Sequence, residues 1–521
     1  MKGERLFRIL GLIDEDLIEE VPVGFSAAPP RRTPWKRYLA ATACLTLVCG
    51  LGFTWLATGG FRGMGSSAPM ESSGSSNGGS GHEEGTTFMS YAGPVFPLTL
   101  AEETDGLTAE RKTTWDFAPG TFADGSPRQW GASVTDRYTL VNITDSGQTV
   151  TALYPFAGSF TELASQQPTV TLDGEETEAA LYAGAYAGGF RDAGVDDGST
   201  WNLEYPDSWT DYKALLEDGS YLDQALGDGP VLDLPVTVYE FTDFAAPGGY
   251  DAATQAIEFT IDQSRTTVLT YGFNGASWDE DTGWRQYSYF VPNGQRRDTD
   301  PKLLVVLGED IGDYVLQGYE DGGCDRDEGL EGVHCTVTRR ETILDEVLDT
   351  LCWSYLETYA EWQLGMDDGE AAAVPYALFR RAVGELMVRY GPLGSDVKDR
   401  YAGGRLDDLI SEAMSQQRVL YLAVDVTIPA GRKVNITFKL WKEPSFDFGC
   451  SGSENVGLQG YDLVTRLGSR LDFTAQTAAL VNTGGIELVR QNFGFDLESG
   501  VTEVILDPET EHYYLEVRPL E

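Results

Sequence analysis

The chain has 521 residues, of which 41% are hydrophobic and 11% aromatic, so it can bury sizeable hydrophobic cores. Its formal net charge is −45 at pH 7, with 82 Asp and Glu against 37 Lys and Arg. A surface this acidic repels phosphate polyanions, which excludes nucleic acid as a partner; it attracts cations or basic partners, or simply solvates an exposed surface. Only three histidines are present, which disfavours Ser-His-Asp hydrolysis and a multi-histidine metal site.

Residues 1–37 are predicted to form a cytoplasmic tail with a short amphipathic helix. Leu6, Leu10, Ile13 and Leu17 fall at helical three- and four-residue intervals. So short a tail cannot bury this apolar face, and its acidic residues disfavour an anionic lipid surface. We therefore expect these four residues to bind a cytoplasmic protein such as a sigma factor. A frayed helix beside the membrane is the alternative.

Residues 38–58 contain no charged side chain and directly follow a basic cluster, which consists of Arg31, Arg32, Lys36 and Arg37. At about 1.5 Å per residue, a helix of this length crosses the roughly 30 Å hydrocarbon layer of a bilayer. The stretch predicts one transmembrane helix, and the basic cluster places the N-terminus in the cytoplasm. A cleaved signal peptide is the alternative, but the long polar segment before the apolar run argues against it.

Residues 59–87 are rich in glycine and serine, as in the segment from Glu71 to Gly81. Such a composition cannot offset the entropy lost on ordering, so it predicts a flexible linker. The linker is expected to hold the remainder of the chain, residues 88–521, outside the cell and off the membrane.

Three segments of the predicted ectodomain alternate apolar and polar residues with a period of two, interrupted by a short polar turn. They are residues 138–156, 256–273 and 421–440. Each predicts two strands joined as a hairpin. Together they predict at least two antiparallel, sandwich-like units, 88–255 and 256–521.

A helical insertion is predicted within the second unit, at about residues 341–417. Apolar side chains recur there at helical spacing over 342–365, 370–390 and 406–417. The expected fold class is therefore α+β and predominantly β, with antiparallel sandwich-like units, an α-helical insertion and one transmembrane helix.

Four of the six cysteines lie outside the predicted membrane helix. Cys324 and Cys335 bracket a polar, glycine-containing loop, so a disulfide between them is sterically easy and fits an oxidising exterior. Free thiols in a reducing habitat are the alternative. Paired C-x-x-C spacing is absent, which disfavours zinc.

Two glycine-containing loops crowd carboxylates, as calcium ligands require, although neither fits the twelve-residue calcium loop. The calcium candidates are Asp279, Asp281, Asp325 and Asp327. The chain has no G-x-S-x-G, Walker or dinucleotide-binding motif. We therefore expect no cofactor and no enzymatic activity.

Several segments resemble uncharacterised single-pass membrane proteins of clostridial Gram-positive bacteria, some of which are described as anti-sigma-like. The similar segments are residues 4–20, 89–99, 211–221, 461–468 and 490–496. The resemblance implies a bacterial plasma-membrane protein with an extracytoplasmic β-rich region and brings no catalytic residue. The tail departs from many anti-sigma domains, because it contains neither His nor Cys for their zinc-binding pattern.

These observations favour a membrane-anchored extracytoplasmic binding or sensing protein that signals through its cytoplasmic tail. The expected location is the plasma membrane of a Gram-positive-type bacterium, with the N-terminus inside and the ectodomain outside. The alternative is a surface hydrolase acting on cell-wall or external polysaccharide. A close, buried pair of carboxylates lining a ligand pocket would favour the hydrolase.

Overall fold

The computed structural model describes most of the chain beyond the predicted linker, namely residues 88–121, 127–128, 130–184, 206, 208–250, 252–291, 302–325, 329–366, 371–394 and 403–520. The predicted tail, transmembrane helix and linker, residues 1–37, 38–58 and 59–87, lie outside the described residues. Within the described ranges, no helix is long and apolar enough to cross a membrane.

The described chain begins with nine strands and one short helix. They are β1 (Thr99–Leu100), β2 (Leu107–Asp116), β3 (Gly120–Thr121), β4 (Pro127–Arg128), β5 (Ala132–Asn142), β6 (Gln148–Gly158), α1 (Phe160–Ser165), β7 (Thr169–Leu172), β8 (Glu175–Glu176) and β9 (Ala180–Ala183). In β5 every second residue is buried, which is the pattern of a strand with one face on a core.

Two short helices and eight strands follow. They are α2 (Trp209–Leu216), α3 (Ser220–Leu226), β10 (Pro235–Ala245), β11 (Thr254–Thr260), β12 (Thr266–Tyr271), β13 (Gly275–Asp279), β14 (Trp284–Phe290), β15 (Lys302–Gly308), β16 (Tyr314–Tyr319) and β17 (His334–Ile343). Six consecutive residues of β15 are buried, so both faces of this strand pack against other layers.

The rest of the described chain consists of three helices and then seven strands. They are α4 (Leu344–Tyr359), which continues as a π-helical turn (Ala360–Leu364), α5 (Tyr376–Arg389), α6 (Leu406–Ser415), β18 (Arg418–Ile428), β19 (Lys433–Lys442), β20 (Gln459–Val464), β21 (Asp472–Val481), β22 (Ile486–Gln491), β23 (Glu503–Ile505) and β24 (His512–Pro519). The three helices lie within the predicted insertion. The predicted predominantly β, antiparallel class is confirmed.

The first sandwich consists of a seven-stranded sheet, in the order β23-β21-β2-β5-β19-β7-β8, that faces a four-stranded sheet, β1-β6-β18-β9. Neighbouring strands are antiparallel except for β2 and β21, which run parallel. Tyr154 of β6 stacks on Phe438 of β19 with ring centroids 4.3 Å apart, so side chains of the two sheets meet in one core. A three-stranded sheet, β20-β24-β22, contributes Tyr461 and Leu515 to the same core.

The second sandwich consists of the sheets β12-β15-β10-β17 and β13-β14-β11-β16. Phe241 of β10, Leu304 of β15 and Tyr289 of β14 belong to the core between them. The opposite face of β10 and β15 carries Val238 and Val305, which share a buried cluster with residues of α4, α5 and α6. The β12-β15-β10-β17 sheet is therefore a middle layer between a sheet and a helical layer.

The sheets do not follow the expected boundary between 88–255 and 256–521. Strand β10 lies before residue 255 but pairs with β15 and β17, which lie after it. Strands β18 and β19 lie near the end of the chain but pair with β6 and β5. Residues from both predicted units therefore build both sandwiches.

The strands of the three predicted hairpins form, but their predicted pairing is wrong. In each case the two consecutive strands belong to different sheets: β5 and β6, β11 and β12, and β18 and β19. The turn between them is an arch that crosses from one sheet to the facing one. Two arches pack together, since β6 pairs with β18 and β5 pairs with β19 along their whole lengths. The Asn142 side chain joins them by donating to the carbonyl of Ile428.

Candidate functional site

The helix α1 places a carboxylate at one end of the first sandwich. Ser159 caps the helix, and its hydroxyl accepts a hydrogen bond from the backbone N–H of Glu162 at 3.2 Å. Phe160 and Leu163 are buried, and Phe160 packs edge-on against Phe379 of α5. The buried face of α1 thus fixes the helix, and Glu162 lines a small cavity beside it.

Two basic side chains share this region with two carboxylates. We call Arg128, Glu162, Lys442 and Glu443 the open cluster. Arg128 donates to a Glu443 carboxylate oxygen at 2.7 Å and to the Gln166 amide oxygen at 3.0 Å. Both Arg128 and Lys442 are buried, whereas the Glu443 side chain is 45% exposed. The cluster therefore reaches solvent on one side.

The open cluster holds two groups that titrate near neutral pH. Burial raises the pKa of Glu162 to about 7, and the nearby Glu443 carboxylate adds to this rise; Lys442 and a hydrogen bond from Gln417 oppose it. Burial lowers the pKa of Lys442 to about 8, against the attraction of Glu162 and other carboxylates. The Lys442 ammonium donates to the carbonyl oxygen of Ala92. Glu162 can therefore exchange a proton within the physiological range.

The cavity beside Glu162 is small. Its volume is about 30 Å³, and Arg128 and Trp441 also line it. The Arg128 guanidinium lies over the Trp441 ring at 5.0 Å from the centroid. This volume admits about one water molecule, which can exchange a proton with Glu162, but it is too small for a sugar ring.

A larger groove adjoins this cavity, and Pro168 lines both. The groove has a volume of about 300 Å³ and lies between β7, β8 and β9, the start of α5 and β18. Its lining residues are Gln167, Pro168, Thr169, Val170, Glu176, Thr177, Ala179, Leu181, Pro375 and Leu422. The Gln167 amide ties the rim together by donating to the carbonyls of Leu163 at 2.9 Å and Ala373 at 2.6 Å.

The chemistry of the groove lining is that of a binding site for a small, partly apolar molecule. Its floor is aliphatic, and its polar groups are two threonine hydroxyls, one amide and one carboxylate. Glu176 is the single carboxylate in this lining, which contains no aromatic ring. The pair of carboxylates that glycoside hydrolysis uses is therefore absent from the lining.

A second group of buried charges in the first sandwich is fully enclosed. We call Arg111, Thr113, Asp136 and Tyr138 the closed cluster. The Arg111 guanidinium donates to both Asp136 carboxylate oxygens and to the carbonyls of Phe96 and Val464. The Thr113 and Tyr138 hydroxyls donate to the same carboxylate at 2.7 and 2.6 Å. The side chains of Arg111 and Asp136 are 0% exposed, so this cluster fixes strands rather than binds a ligand.

The described calcium candidates lie in two separate loops. The Asp279 carboxylate accepts hydrogen bonds from the backbone N–H groups of Asp281 at 2.9 Å and Thr282 at 3.1 Å, and so closes its own turn. Asp325 lies in another loop, and Asp327 lies outside the described residues. Within the described part of the chain, no three His, Cys, Asp or Glu side chains are arranged to hold a metal ion.

The structure contains no disulfide between Cys324 and Cys335, which are both free thiols here, as in the alternative stated above. Cys324 hydrogen-bonds with Ser288, and Cys335 with Tyr289. Neighbouring residues of a strand point to opposite faces of the sheet, so the two thiols lie on opposite sides of β14. Burial raises the pKa of both thiols, which keeps them protonated.

The sequence contained one signal for these clusters. The inward-facing stripe of β19 carries Ile436, Phe438, Leu440 and then Lys442, which is a charge at a core position. A basic residue in such a position needs a buried partner. The partner Glu162 is distant in sequence and carries no local signal, so sequence analysis missed the site. The predicted tail residues Leu6, Leu10, Ile13 and Leu17 lie outside the described residues.

Comparison of this chain with protein-family models and with curated proteins found no match in either case.

Proposed function

We propose that the chain is a membrane-anchored extracytoplasmic binding protein, without enzymatic activity of its own, that senses a small molecule in the groove between β7, β8, β9 and α5. The observation that carries the proposal is the groove itself. Its volume of about 300 Å³ lies at the lower end of the range for small-molecule sites, and its lining mixes an aliphatic floor with a few polar groups.

The lining favours a ligand with an ammonium group and a short apolar body. Glu176 supplies a carboxylate for a cation, and the threonine hydroxyls of Thr169 and Thr177 supply further hydrogen bonds. Val170, Leu181 and other aliphatic side chains supply apolar contact. Lysine and arginine are absent from this lining, so nothing in it would neutralise a ligand carboxylate.

Leucinamide is a suitable first probe, because it combines an ammonium group, an aliphatic side chain and a neutral amide. We expect saturable binding to the full-length chain by isothermal titration calorimetry. N-acetylleucine, which is an anion, should bind much more weakly. Glu176→Gln should weaken leucinamide binding roughly tenfold or more, because it removes a charge-assisted hydrogen bond.

Glu175→Gln is the matched control. Glu175 is the other residue of β8 and does not line the groove, so this variant should bind leucinamide as the wild type does. Equal binding of leucinamide and N-acetylleucine, or equal losses in the two variants, would contradict a cation site at Glu176.

The anchored topology and the signalling tail form part of the same proposal. They rest on the charge-free stretch 38–58, on the basic residues before it and on the apolar face that includes Leu10. The full-length chain should co-purify with a cytoplasmic partner, a sigma factor being the leading one. Leu10→Asp should abolish this by placing a charge in an apolar contact. Retention of the same partner by both forms would contradict the signalling role.

A surface hydrolase remains the second proposal, and one observation favours it. The pKa of Glu162, about 7, suits a general acid, and Glu443 lies close enough to contribute to that shift. The small volume beside Glu162 opposes this role. Release of reducing sugar from cell-wall polysaccharide by the wild type, but not by Glu162→Gln, would establish the hydrolase and overturn the binding proposal.

A further inference from the structure

Strand β13 is an open edge of the second sandwich. In the described part of the chain, β13 pairs with β14 on one side and with no strand on the other. Four of its five residues are exposed, and the Trp278 side chain is 60% exposed. Proteins usually protect such an edge with charges, proline or a covering loop, because its free N–H and C=O groups pair readily with another strand.

The opposite edge of the same sheet is protected at one end. Tyr319 of β16 forms a bridge with Gly329, and the N–H of Leu330 donates to the carbonyl of Gly318 at 2.9 Å. The loop that follows β16 therefore covers the end of that edge at Gly318 and Tyr319, whereas Tyr314 and Val315 at its start are exposed. Among the described residues β13 has no such cover along its length, so we take β13 as the side on which an extended chain can add.

The end of β13 is strongly acidic. Asp279 is the last residue of β13, the turn after it contains Glu280 and Asp281, and the turn after β11 contains Asp262. The two turns lie side by side, because the Gln263 amide donates to the carbonyl of Glu280 at 3.0 Å. An extended chain on this edge therefore has the carboxylates of Asp279, Glu280 and Asp281 at one end, and Asp262 lies two strands further into the sheet.

The two basic groups nearby are outnumbered by these four carboxylates. Arg285 lies opposite Trp278 in the register of β13 and β14, and its guanidinium donates to the carbonyl of Trp284. Arg265, in the turn after β11, forms an ion pair with Glu309. The edge thus combines an exposed tryptophan with a net negative end.

We propose that β13 binds an extended, basic segment of another protein, which adds to the sheet as an extra strand. Backbone hydrogen bonds along β13 supply the pairing, Trp278 packs on an apolar side chain of the segment, and lysine or arginine faces the acidic turns. A second copy of this chain is a poor occupant, because each chain carries a net charge of −45 and two copies would repel each other. This surface is separate from the proposed small-molecule groove.

The test uses the full-length chain, purified in mild detergent, and a short synthetic peptide of alternating lysine and valine. A peptide of alternating glutamate and valine is the charge control. We expect saturable binding of the lysine peptide that weakens at high salt, since salt screens the exposed charges. The glutamate peptide should not bind.

Two substitutions locate the binding. Trp278→Ala should weaken binding of the lysine peptide roughly tenfold or more, as expected for a central aromatic contact. Trp353→Ala is the matched control, because Trp353 is also exposed, at 43%, but lies on α4. Glu280→Gln with Asp281→Asn should weaken binding, whereas Glu498→Gln, an exposed acid elsewhere, should not.

Three results would overturn the proposal. The first is no binding of the lysine peptide to the wild type. The second is equal binding by Trp278→Ala and Trp353→Ala. The third is a Trp278-dependent dimer in sedimentation velocity, which would make a second copy the occupant. Leucinamide binding is measured separately, so failure here leaves the groove proposal standing.

Discussion

The closed and open clusters lie in the same sandwich and differ in what surrounds them. In the closed cluster, Arg111 and Asp136 are 0% exposed and every Asp136 oxygen accepts at least two hydrogen bonds. In the open cluster, Glu443 is 45% exposed and a cavity of about 30 Å³ adjoins Glu162. Because its carboxylate is fully hydrogen-bonded, the closed cluster holds strands together. Because it is only partly enclosed, the open cluster can exchange protons near neutral pH.

The pKa shifts express the same difference. Burial by itself would lower the pKa of Arg111, but Asp136 raises it above the ordinary value, so the guanidinium stays charged. Burial raises the pKa of Glu162 to about 7, because its cationic neighbours compensate only in part. The Arg111 guanidinium thus keeps its charge, whereas Glu162 changes its charge near neutral pH.

The largest expected loss of stability follows from a substitution in the closed cluster. Arg111→Met leaves the Asp136 carboxylate buried without its cation, which should lower the free energy of unfolding by about 3–5 kcal/mol. Urea unfolding of the full-length chain measures this. Lys112→Met is the matched control on the same strand; Lys112 is 45% exposed and pairs with Glu503, so its loss should be about 0–1 kcal/mol. Similar losses of unfolding free energy in the two variants would show that the buried ion pair contributes no more to stability than the exposed one.

The second effect is the pH dependence of the open cluster. Because the folded pKa of Glu162, about 7, exceeds its ordinary 4.5, its stabilising contribution is complete below pH 4.5 and is lost as the pH rises through 7. Glutamine does not titrate, so the Glu162→Gln variant should not lose this stability as the pH rises. Relative to the wild type, the variant should gain about 3 kcal/mol of stability between these pH values. Parallel pH profiles for the two proteins, measured by thermal unfolding, would show that Glu162 does not titrate as the structure indicates.

A smaller loss of stability is expected when α1, the helix that carries Glu162 of the open cluster, loses its N-terminal cap. Ser159→Ala removes the cap of α1 and should lower the free energy of unfolding by about 1 kcal/mol. Ser165→Ala is the control, because Ser165 lies at the other end of α1 and donates to the carbonyl of Glu162. An equal or larger loss in Ser165→Ala would show that the cap does not fix the helix.

The smallest effect concerns the thiols. Because Cys324 and Cys335 lie on opposite sides of β14, addition of a reductant should leave the midpoint of thermal unfolding unchanged. Mass spectrometry of a non-reduced digest should find the two peptides unlinked. A linked pair of peptides would show that the loop between them closes in a way that this structure does not contain.

Local patterns gave the elements of the fold. The period of two in β5, β18 and β19 predicted strands, and the three helical stripes predicted α4, α5 and α6, with the start of α6 at Leu406 correctly placed. These predictions worked because side-chain periodicity depends only on which face of an element is buried. The same periodicity results whether a strand pairs with its neighbour in sequence or with a distant one, so the pairing was not predictable.

The sequence by itself determined the predominantly β class and the position of the helical insertion. Only the tertiary structure decided that consecutive strands form arches between facing sheets, that residues on both sides of 255 share those sheets, and that Glu162 meets Arg128 and Lys442. The physical reason is distance along the chain. Hydrophobic periodicity is a local property, whereas sheet order and the partners of a buried charge depend on contacts between residues hundreds of positions apart, such as Lys442 and Ala92.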